Sequence, residues 1–419
     1  MEKVIKIEGG HRLAGEVKVS GSKNATVALI PAAVLAGGPV TISGVPDIAD
    51  VDSLSKILRI LNADVREMGD HLIIDPTSMV NTDLDADVVT KLRASYYFMG
   101  ALLGKYGYVR IRMPGGCYLG PRPITLHIKG FEALGAKVRY DKGCYTIKAD
   151  KLKGAKIFLD IPSVGATINI LMAAVYAEGR TVIENAAKEP EIIDVATLLN
   201  KMGANIRGAG TNVITIEGVR ELQGCFHEII PDRIEAGTFV IMAAACADSM
   251  KICNVIPKHI EALTSKLQET GANLEIGVDS ILVTKSERMH GVNITTKPYP
   301  GYATDLQQPM TSYLTQATGI SEITDTIYTE RFKHCLELQR MGADIEISTG
   351  KCYVKGPTML YGDKVTATDL RCGAALVIAG LLADGVTEIH DVYHIDRGYD
   401  NIDGKLKALG GVIWREKVE

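Results

Sequence analysis

The sequence predicts an α/β protein of two domains, each built from three copies of one repeated segment. Three observations support this fold class: the length of the chain, a small-residue motif that occurs six times, and an apolar segment that precedes each copy. At 419 residues the chain is too long for one ordinary hydrophobic core, so two domains are expected.

The small-residue motif ends a helix, begins a strand and recurs about every 70 residues, which is typical of an internal repeat. One copy reads Met-Gly-Ala-Asn-Ile at positions 202–206, and glycine is the usual left-handed residue that follows a helix. The six copies occupy positions 61–65, 134–138, 202–206, 270–274, 341–345 and 409–413.

Each repeat contains two predicted helices and several short strands. The earlier helix is apolar on nearly every side and is therefore expected to be buried. These six segments are 24–36, 94–103, 166–177, 236–246, 309–317 and 373–383. The later helix, for example 52–61 or 192–202, is amphipathic and should face outward. With β-rich runs such as 108–112 and 181–183, each repeat is predicted to be a βαβαββ-type layer. A solenoid is the alternative, but divergent repeats of this length favour two globular halves.

The composition excludes several classes of partner. The chain is 46% hydrophobic and 23% charged, and its net charge of −4 is spread along the sequence. We therefore expect neither a nucleic-acid partner nor an acidic membrane surface. The N-terminus lacks the pattern of a signal peptide, and the uncharged tract 24–46 is interrupted by proline and glycine. A cytoplasmic protein is expected, and the oligomeric state is left open.

The cysteine pattern does not indicate a metal site. None of the eight cysteines forms a CxxC pair, and no histidine cluster accompanies them, so we expect neither a metal nor a cofactor. Without a secretory signal the thiols should be reduced, and most should be small core residues. The cysteines lie at positions 117, 144, 225, 246, 253, 335, 352 and 372.

Cys117 differs from the other cysteines in its sequence context. The twelve residues 112–123 include three glycines and three prolines, which predicts a mobile loop rather than a helix or strand. Arg122 lies five residues further on and would favour the thiolate or a poised thiol. Cys117 is therefore a candidate reactive group, and an incidental exposed cysteine is the alternative.

Two further positions combine charged groups with predicted helix starts. Lys23 and Asn24 follow a strand and begin the first buried helix, where backbone N–H groups suit a small dianion. A solvated lysine beside an asparagine cap is the simpler interpretation. Asp305 precedes the fifth buried helix, and an aspartate there is most simply an N-cap.

Taken together, the six repeats and these motifs resemble the enolpyruvyl transferase family over essentially the whole chain. The resemblance implies a two-domain inside-out α/β barrel with helices inside and sheets outside. It places the crossings between domains near Ser22 and Pro231. One domain would then comprise residues 22–230, and the other residues 1–21 plus 231–419.

The resemblance also implies functional residues. The Gly-Gly-Cys loop is similar to that of family members that act on UDP-N-acetylglucosamine, and Pro-Gly-Tyr-Ala-Thr-Asp at 300–305 is similar to the segment carrying the family's base. The implied catalytic residues are Cys117 as proton donor, Asp305 as base, Lys23 and Arg397. The implied substrate contacts are Lys23, Asn24, Arg93, Arg122, Pro123, Ile124, Thr125, Leu126, Pro162, Ser163, Val164, Gly165, Asp305, Ile327, Asp369, Arg371 and Arg397.

The sequence departs from the family pattern at two places. Residues 306–309 read Leu-Gln-Gln-Pro where many members have Met-Gln-Ala-Gln, and Ile161 stands where some relatives have lysine. Asp232, Arg233 and Glu235 begin the fourth buried helix, where we expect hinge or interdomain ion pairs and no catalytic role.

The implied reaction transfers the enolpyruvyl group of phosphoenolpyruvate to the 3-hydroxyl of UDP-N-acetylglucosamine and releases phosphate. In this scheme a closed, dry cleft raises the pKa of Asp305, and the two halves close on the nucleotide. The alternatives are a 3-phosphoshikimate 1-carboxyvinyltransferase with another acceptor, against which the Cys117 loop argues, and a non-catalytic repeat scaffold.

Overall fold

The computed structural model describes residues 2–113 and 124–418. The described residues fall into two compact units, each with its own hydrophobic core. The central unit comprises residues 21–113 and 124–230, and the terminal unit comprises residues 2–20 and 231–418. The chain passes from the terminal unit to the central unit at Gly21 and returns to the terminal unit at Pro231.

Strands and short helices alternate along the first part of the chain. The elements up to residue 113 are β1 (Glu2–Glu8), β2 (Leu13–Lys18), α1 (Lys23–Ala33), β3 (Val40–Ser43), α2 (Ala49–Ile60), β4 (Asp64–Met68), β5 (His71–Asp75), α3 (Asp87–Lys91), α4 (Tyr97–Tyr106) and β6 (Tyr108–Arg112). A 3-10 helix, Arg93–Tyr96, directly precedes α4.

The remainder of the central unit follows the same pattern. Its elements are α5 (Thr125–Ala133), β7 (Lys137–Asp141), β8 (Cys144–Lys148), β9 (Lys156–Phe158), α6 (Val164–Ala174), β10 (Arg180–Glu184), α7 (Pro190–Lys201), β11 (Asn205–Arg207), β12 (Val213–Glu217) and β13 (Cys225–Glu228).

The terminal unit is completed by the elements after residue 231. They are α8 (Arg233–Cys246), β14 (Ala247–Cys253), α9 (Glu261–Glu269), β15 (Asn273–Ile276), β16 (Ser280–Thr284), β17 (Ile294–Thr295), α10 (Gln307–Leu314), β18 (Gly319–Thr324), α11 (Lys333–Arg340), β19 (Asp344–Ser348), β20 (Lys351–Gly356), β21 (Lys364–Thr366), α12 (Leu370–Leu382), β22 (Val386–His390), α13 (Tyr393–Asp396), α14 (Ile402–Ala408) and β23 (Val412–Val418). Two 3-10 helices, Pro257–Ile260 and Thr304–Leu306, lie between them.

The strands of the described residues form six small sheets, which matches one sheet for each predicted repeat. The central unit holds β13-β3-β5-β4, β6-β8-β7 and β11-β12-β10-β9. The terminal unit holds β15-β16-β14-β2, β17-β18-β20-β19 and β21-β22-β1-β23. The amino-terminal strand is central in its sheet, since Ile5 lies opposite both Ile389 and Arg415 in antiparallel ladders.

The predicted apolar helices are buried. In α1, for example, every residue from Ala25 to Ala33 is buried. The bounds of all six helices differ from the predicted ones by up to three residues, and two of these differences have an identifiable reason. Residues 93–96 form a 3-10 turn, so α4 begins at Tyr97. Helix α10 begins at Gln307, and Pro309 therefore lies in its first turn, where a missing N–H costs no helical hydrogen bond. In the described part of the chain, no helix has the length and apolarity needed to cross a membrane.

Candidate active site

The carboxylate of Asp305 is held by two arginines of the terminal unit. Arg331 Nη1 donates to Asp305 Oδ1 at 2.7 Å, and Arg371 Nη2 donates to Asp305 Oδ2 at 3.2 Å. The Asp305 side chain is 25% exposed, whereas those of Arg331 and Arg371 are 3% and 2% exposed. Two cations within hydrogen-bond distance favour the ionised carboxylate, which is the form a base requires.

The expectation that Asp305 is an N-cap is wrong. Asp305 lies inside the 3-10 turn Thr304–Leu306, and the residue that precedes α10 is Leu306, which makes no side-chain cap bond. The carboxylate instead accepts hydrogen bonds from Arg331 and Arg371.

Arg371 combines a structural and a potential ligand-binding role. Its guanidinium lies over the ring of Tyr399 at 5.3 Å, and its Nη1 atom is buried without a hydrogen-bond partner among residues 2–113 and 124–418. Burial opposes the charge, but Tyr399 and Asp305 keep the pKa of Arg371 above its ordinary value. A buried guanidinium with an unused donor can bind an anion that reaches it.

Asp369 caps helix α12. Its Oδ1 accepts from the backbone N–H groups of Arg371 at 2.9 Å and Cys372 at 3.1 Å. Gln308 Nε2 donates to both carboxylate oxygens at 3.3 and 3.2 Å. The departure from the family pattern at 306–309 therefore places a buried glutamine against Asp369. A substrate contact by Asp369 stays a prediction.

Arg397 and Ile327 lie in the loops of the terminal unit. Arg397 follows α13, is partly exposed, and donates its backbone N–H to Tyr393 at 3.2 Å. Ile327 is half-buried in the segment after β18, and its N–H donates to Asp325 at 2.9 Å.

Lys23 and Asn24 occupy the first turn of α1 in the central unit. The helix is capped by Ser22, whose hydroxyl accepts from the Ala25 N–H at 3.2 Å, so the asparagine-cap interpretation is wrong. Lys23 Nζ lies 3.5 Å from Asp50 Oδ2, and their side chains are 15% and 4% exposed. The cap and the partner of Lys23 orient its ammonium at the helix N-terminus.

The predicted contacts Arg93 and Gly165 meet at one cluster of rings. The Arg93 guanidinium lies 5.7 Å from the ring centroid of Tyr96, and Tyr96 meets His127 edge-on at 5.1 Å. Gly165, near the start of α6, allows this approach: a Cβ atom there would lie 2.7 Å from Tyr96 Oη and 3.0 Å from His127 Cε1. His127 was not predicted from the sequence, because a single histidine in a helix carries no motif.

A chain of hydrogen bonds determines the protonation of His127. Asn169 Oδ1 accepts from the Gly100 N–H at 2.8 Å, so its Nδ2 must be the donor toward His127 Nδ1 at 2.9 Å. His127 Nδ1 is therefore unprotonated. Burial, with a smaller effect of Arg93, lowers the pKa of His127 to about 3.

The other predicted nucleotide contacts lie at two helix starts of the central unit. Ser163 caps α6 by accepting from the Ala166 N–H at 3.2 Å. Pro162, Val164 and Gly165 beside it are half-buried, and Ile161 is exposed. Around α5, Ile124 is buried, Thr125 is exposed and Leu126 is half-buried.

Cys117, Arg122 and Pro123 lie outside the described residues. The seven other cysteines are free, and five of them are buried, as expected for core residues. Burial raises the pKa of Cys246 and of Cys372 to about 12, and it also raises the pKa of Cys253. These environments favour the unreactive thiol. Within residues 2–113 and 124–418, no group of three or more His, Cys, Asp or Glu side chains is arranged to hold a metal ion.

Comparisons with known proteins identify the family. The family model described as EPSP synthase (3-phosphoshikimate 1-carboxyvinyltransferase) matches residues 7–406. The chain is 58% identical to UDP-N-acetylglucosamine 1-carboxyvinyltransferase 2 of Geobacillus kaustophilus, over 99% of this chain and 97% of the relative. It is 55% identical to the Bacillus subtilis protein of the same name, over 100% of this chain and 97% of the relative.

Solved structures share the fold. The enolpyruvyl transferase NikO from Streptomyces tendae superposes with a TM-score of 0.91 at 25% identity, and both chains are covered completely. EPSP synthase from Acinetobacter baumannii has a TM-score of 0.76 at 18% identity over both complete chains, which shows the fold alone. The predicted fold class is thereby confirmed. The chain belongs to the EPSP synthase family, as its resemblance to enolpyruvyl transferases predicted.

Proposed function

We propose that the protein is a UDP-N-acetylglucosamine 1-carboxyvinyltransferase. It transfers the enolpyruvyl group of phosphoenolpyruvate to the 3-hydroxyl of UDP-N-acetylglucosamine and releases phosphate, the first committed step of peptidoglycan precursor synthesis. The observation that carries the proposal is the full-length identity of 58% and 55% to relatives of that name.

Asp305 is the proposed base. Addition of the sugar hydroxyl to C2 of phosphoenolpyruvate requires removal of the hydroxyl proton, and a partly exposed, ionised carboxylate can accept it. Arg331 and Arg371 orient this carboxylate in the terminal unit. Their charges also offset negative charge that develops during the addition.

Cys117 is the proposed proton donor to C3 of phosphoenolpyruvate, and its sulfur can also form a covalent adduct at C2. The support is its sequence context: Cys117 lies in a Gly/Pro-rich segment five residues before Arg122, whereas five of the other seven cysteines are buried. Lys23, Arg122 and Arg397 are proposed to bind the phosphate and carboxylate groups, since ammonium and guanidinium groups suit both anions.

The sugar nucleotide is proposed to contact residues that the family resemblance assigns. The proposed contacts are Asn24, Arg93, Arg122, Pro123, Ile124, Thr125, Leu126, Pro162, Ser163, Val164, Gly165, Ile327, Asp369 and Arg371. The helix N-termini of α1 and α6 support this assignment, because the dipole and backbone N–H groups at a helix start favour phosphate. We further propose a cytoplasmic location and a role in cell shape and division, since peptidoglycan precursors are the product.

Two other functions make different predictions. A 3-phosphoshikimate 1-carboxyvinyltransferase would use shikimate 3-phosphate as the acceptor, but the solved EPSP synthase is only 18% identical. A non-catalytic scaffold would turn over neither acceptor, and the paired buried arginines at Asp305 would have only a structural role.

The deciding experiment measures phosphate release from phosphoenolpyruvate with each acceptor in turn. We expect turnover with UDP-N-acetylglucosamine and none above background with shikimate 3-phosphate. Turnover with shikimate 3-phosphate alone would assign the shikimate reaction to this protein. Inactivity with both acceptors would favour the non-catalytic scaffold.

A further inference from the structure

Asp325 is a buried carboxylate that the proposed mechanism does not use. It follows β18 directly and is 1% exposed. Burying a charge is costly unless hydrogen bonds compensate, so its partners carry information about its role. Five donors meet its two oxygens, and all five are uncharged groups.

One oxygen of Asp325 organises the loop that follows it. Oδ1 accepts from the backbone N–H groups of Ile327 and Tyr328, each at 2.9 Å, and from Thr296 Oγ1 at 2.8 Å. The two bonds from backbone N–H groups form a turn that positions Ile327, a proposed substrate contact.

The other oxygen faces the segment that carries the base. Oδ2 accepts from Thr304 Oγ1 at 2.7 Å and from Gln307 Nε2 at 3.5 Å. Gln307 Nε2 also donates to the backbone carbonyl of Arg331 at 3.0 Å. Asp325 therefore contacts Thr304, directly before Asp305, and Gln307, two residues after it.

The Thr304 hydroxyl has only one possible polarity in this arrangement. The carboxylate of Asp325 cannot donate, so the hydroxyl proton points to Asp325. The hydroxyl oxygen then accepts from Arg331 Nη1 at 3.1 Å, and the same Nη1 donates to Asp305 at 2.7 Å. A directed series of bonds thus runs from Arg331 through Thr304 to Asp325.

We propose that Asp325 is a positioning residue for the base Asp305, acting through the Thr304 hydroxyl on Arg331. By orienting that hydroxyl as an acceptor, Asp325 holds the Arg331 guanidinium between Thr304 and Asp305. The effect of Asp325 on catalysis rests on the proposed function, because that function requires Asp305 to take the proton of the acceptor hydroxyl.

Asp325→Asn reverses this polarity at nearly constant volume. The asparagine oxygen stays where three donors meet, so its NH₂ group faces Thr304. Thr304 must then accept from the amide, so its proton turns away from residue 325 and no longer fixes a lone pair toward Arg331, which loosens the guanidinium. We expect kcat to fall between about 10-fold and 100-fold, the range for a misplaced catalytic group.

Variants of two threonines separate this role from a purely structural one. Thr304→Val removes the hydroxyl that links Asp325 to Arg331 and should lower kcat as much as Asp325→Asn does. Thr304→Ser keeps a hydroxyl there and should keep a kcat close to the native value. Thr296→Val is the matched control, because it removes a hydroxyl donor to the opposite oxygen of Asp325. Its kcat should remain within about threefold of the native value.

The test measures kcat and KM for UDP-N-acetylglucosamine in these variants and in the double variant Asp325→Asn/Thr304→Val. If Asp325 acts through Thr304, the double variant has a kcat close to that of the worse single variant. Three outcomes would overturn the proposal. The kcat losses of the two single variants could multiply in the double variant, Asp325→Asn could keep the native kcat, or Thr296→Val could lose as much kcat as Asp325→Asn.

A crystal structure of Asp325→Asn provides a readout that does not depend on turnover. The Arg331 Nη1 to Asp305 Oδ1 contact, 2.7 Å in the native protein, should lengthen beyond hydrogen-bond distance. An unchanged contact would overturn the positioning role. If the contact lengthens in Asp325→Asn but the native protein shows no turnover, the result counts against the proposed function alone.

Discussion

Arg371 and Asp305 are 66 residues apart in sequence, yet Arg371 Nη2 lies 3.2 Å from Asp305 Oδ2. Asp305 precedes α10 and Arg371 lies in the first turn of α12, and these two buried helices pack against each other in the terminal unit. Arg331 donates a hydrogen bond to the other carboxylate oxygen of Asp305. The Asp305 side chain remains 25% exposed between these two buried arginines.

Asp305→Asn should lower kcat by at least about 100-fold, because an amide cannot accept the proton that a general base removes. The measurement is phosphate release at saturating phosphoenolpyruvate and UDP-N-acetylglucosamine. Asp344→Asn, which changes an exposed carboxylate on β19, is the matched control and should keep native turnover. A loss of less than tenfold in Asp305→Asn would remove Asp305 from the role of base.

Cys117→Ser should nearly abolish turnover, because an alcohol is a poor acid, whereas Cys117→Asp should keep appreciable activity, because a carboxylic acid can donate the proton. The aspartate variant should also resist a small thiol-alkylating epoxide such as fosfomycin, to which the native enzyme should be sensitive. Cys253→Ser, at a partly buried thiol of raised pKa, should remain sensitive and serves as the control. Equal inhibition of the native and aspartate forms would show that another group is alkylated.

His127 should make the free energy of unfolding fall as the pH decreases. Burial lowers its pKa from 6.5 to about 3 in the folded protein, so below pH 6.5 the unfolded chain binds a proton that the native chain does not. Between pH 7 and pH 5 the native protein should lose about 2 kcal/mol more stability than His127→Asn. Urea unfolding of both proteins at the two pH values measures this difference.

The control for this pH dependence is His127→Gln, a second uncharged replacement of the same side chain. Its loss of stability between the two pH values should match that of His127→Asn. Parallel slopes for the native protein and His127→Asn would contradict a buried, neutral imidazole.

Much of the fold could be predicted from the sequence, because repeated local patterns report local structure. The second residue of each repeat motif marks a helix end; it is glycine in five copies and Asn62 in the first. Gly203, Gly271 and Gly342 indeed have φ values of 110°, 93° and 103°. The strand 108–112 was predicted with the bounds that the structure has, and the confirmed apolar helices followed from their composition.

Several residues of the candidate site could not be predicted, because their roles come from contacts across long sequence separations. Arg331 is one arginine in a polar loop, and only the packing of that loop beside the 3-10 turn brings it to Asp305. His127 depends on Asn169, 42 residues further on, for its hydrogen-bond partner. The same holds for Asp325, whose five donors come from three separate stretches of chain.

The sequence by itself determined the class of the protein, its repeats, and the identity of Lys23, Cys117 and Asp305 as chemical candidates, because these follow from periodicity and from local motifs. Tertiary structure alone decided that Asp305 is held by two buried arginines and not used as a helix cap, and that Ser22 caps α1 in place of Asn24. The physical reason is that a side chain's partners are set by the packing of distant segments, whose mutual distances no local pattern encodes.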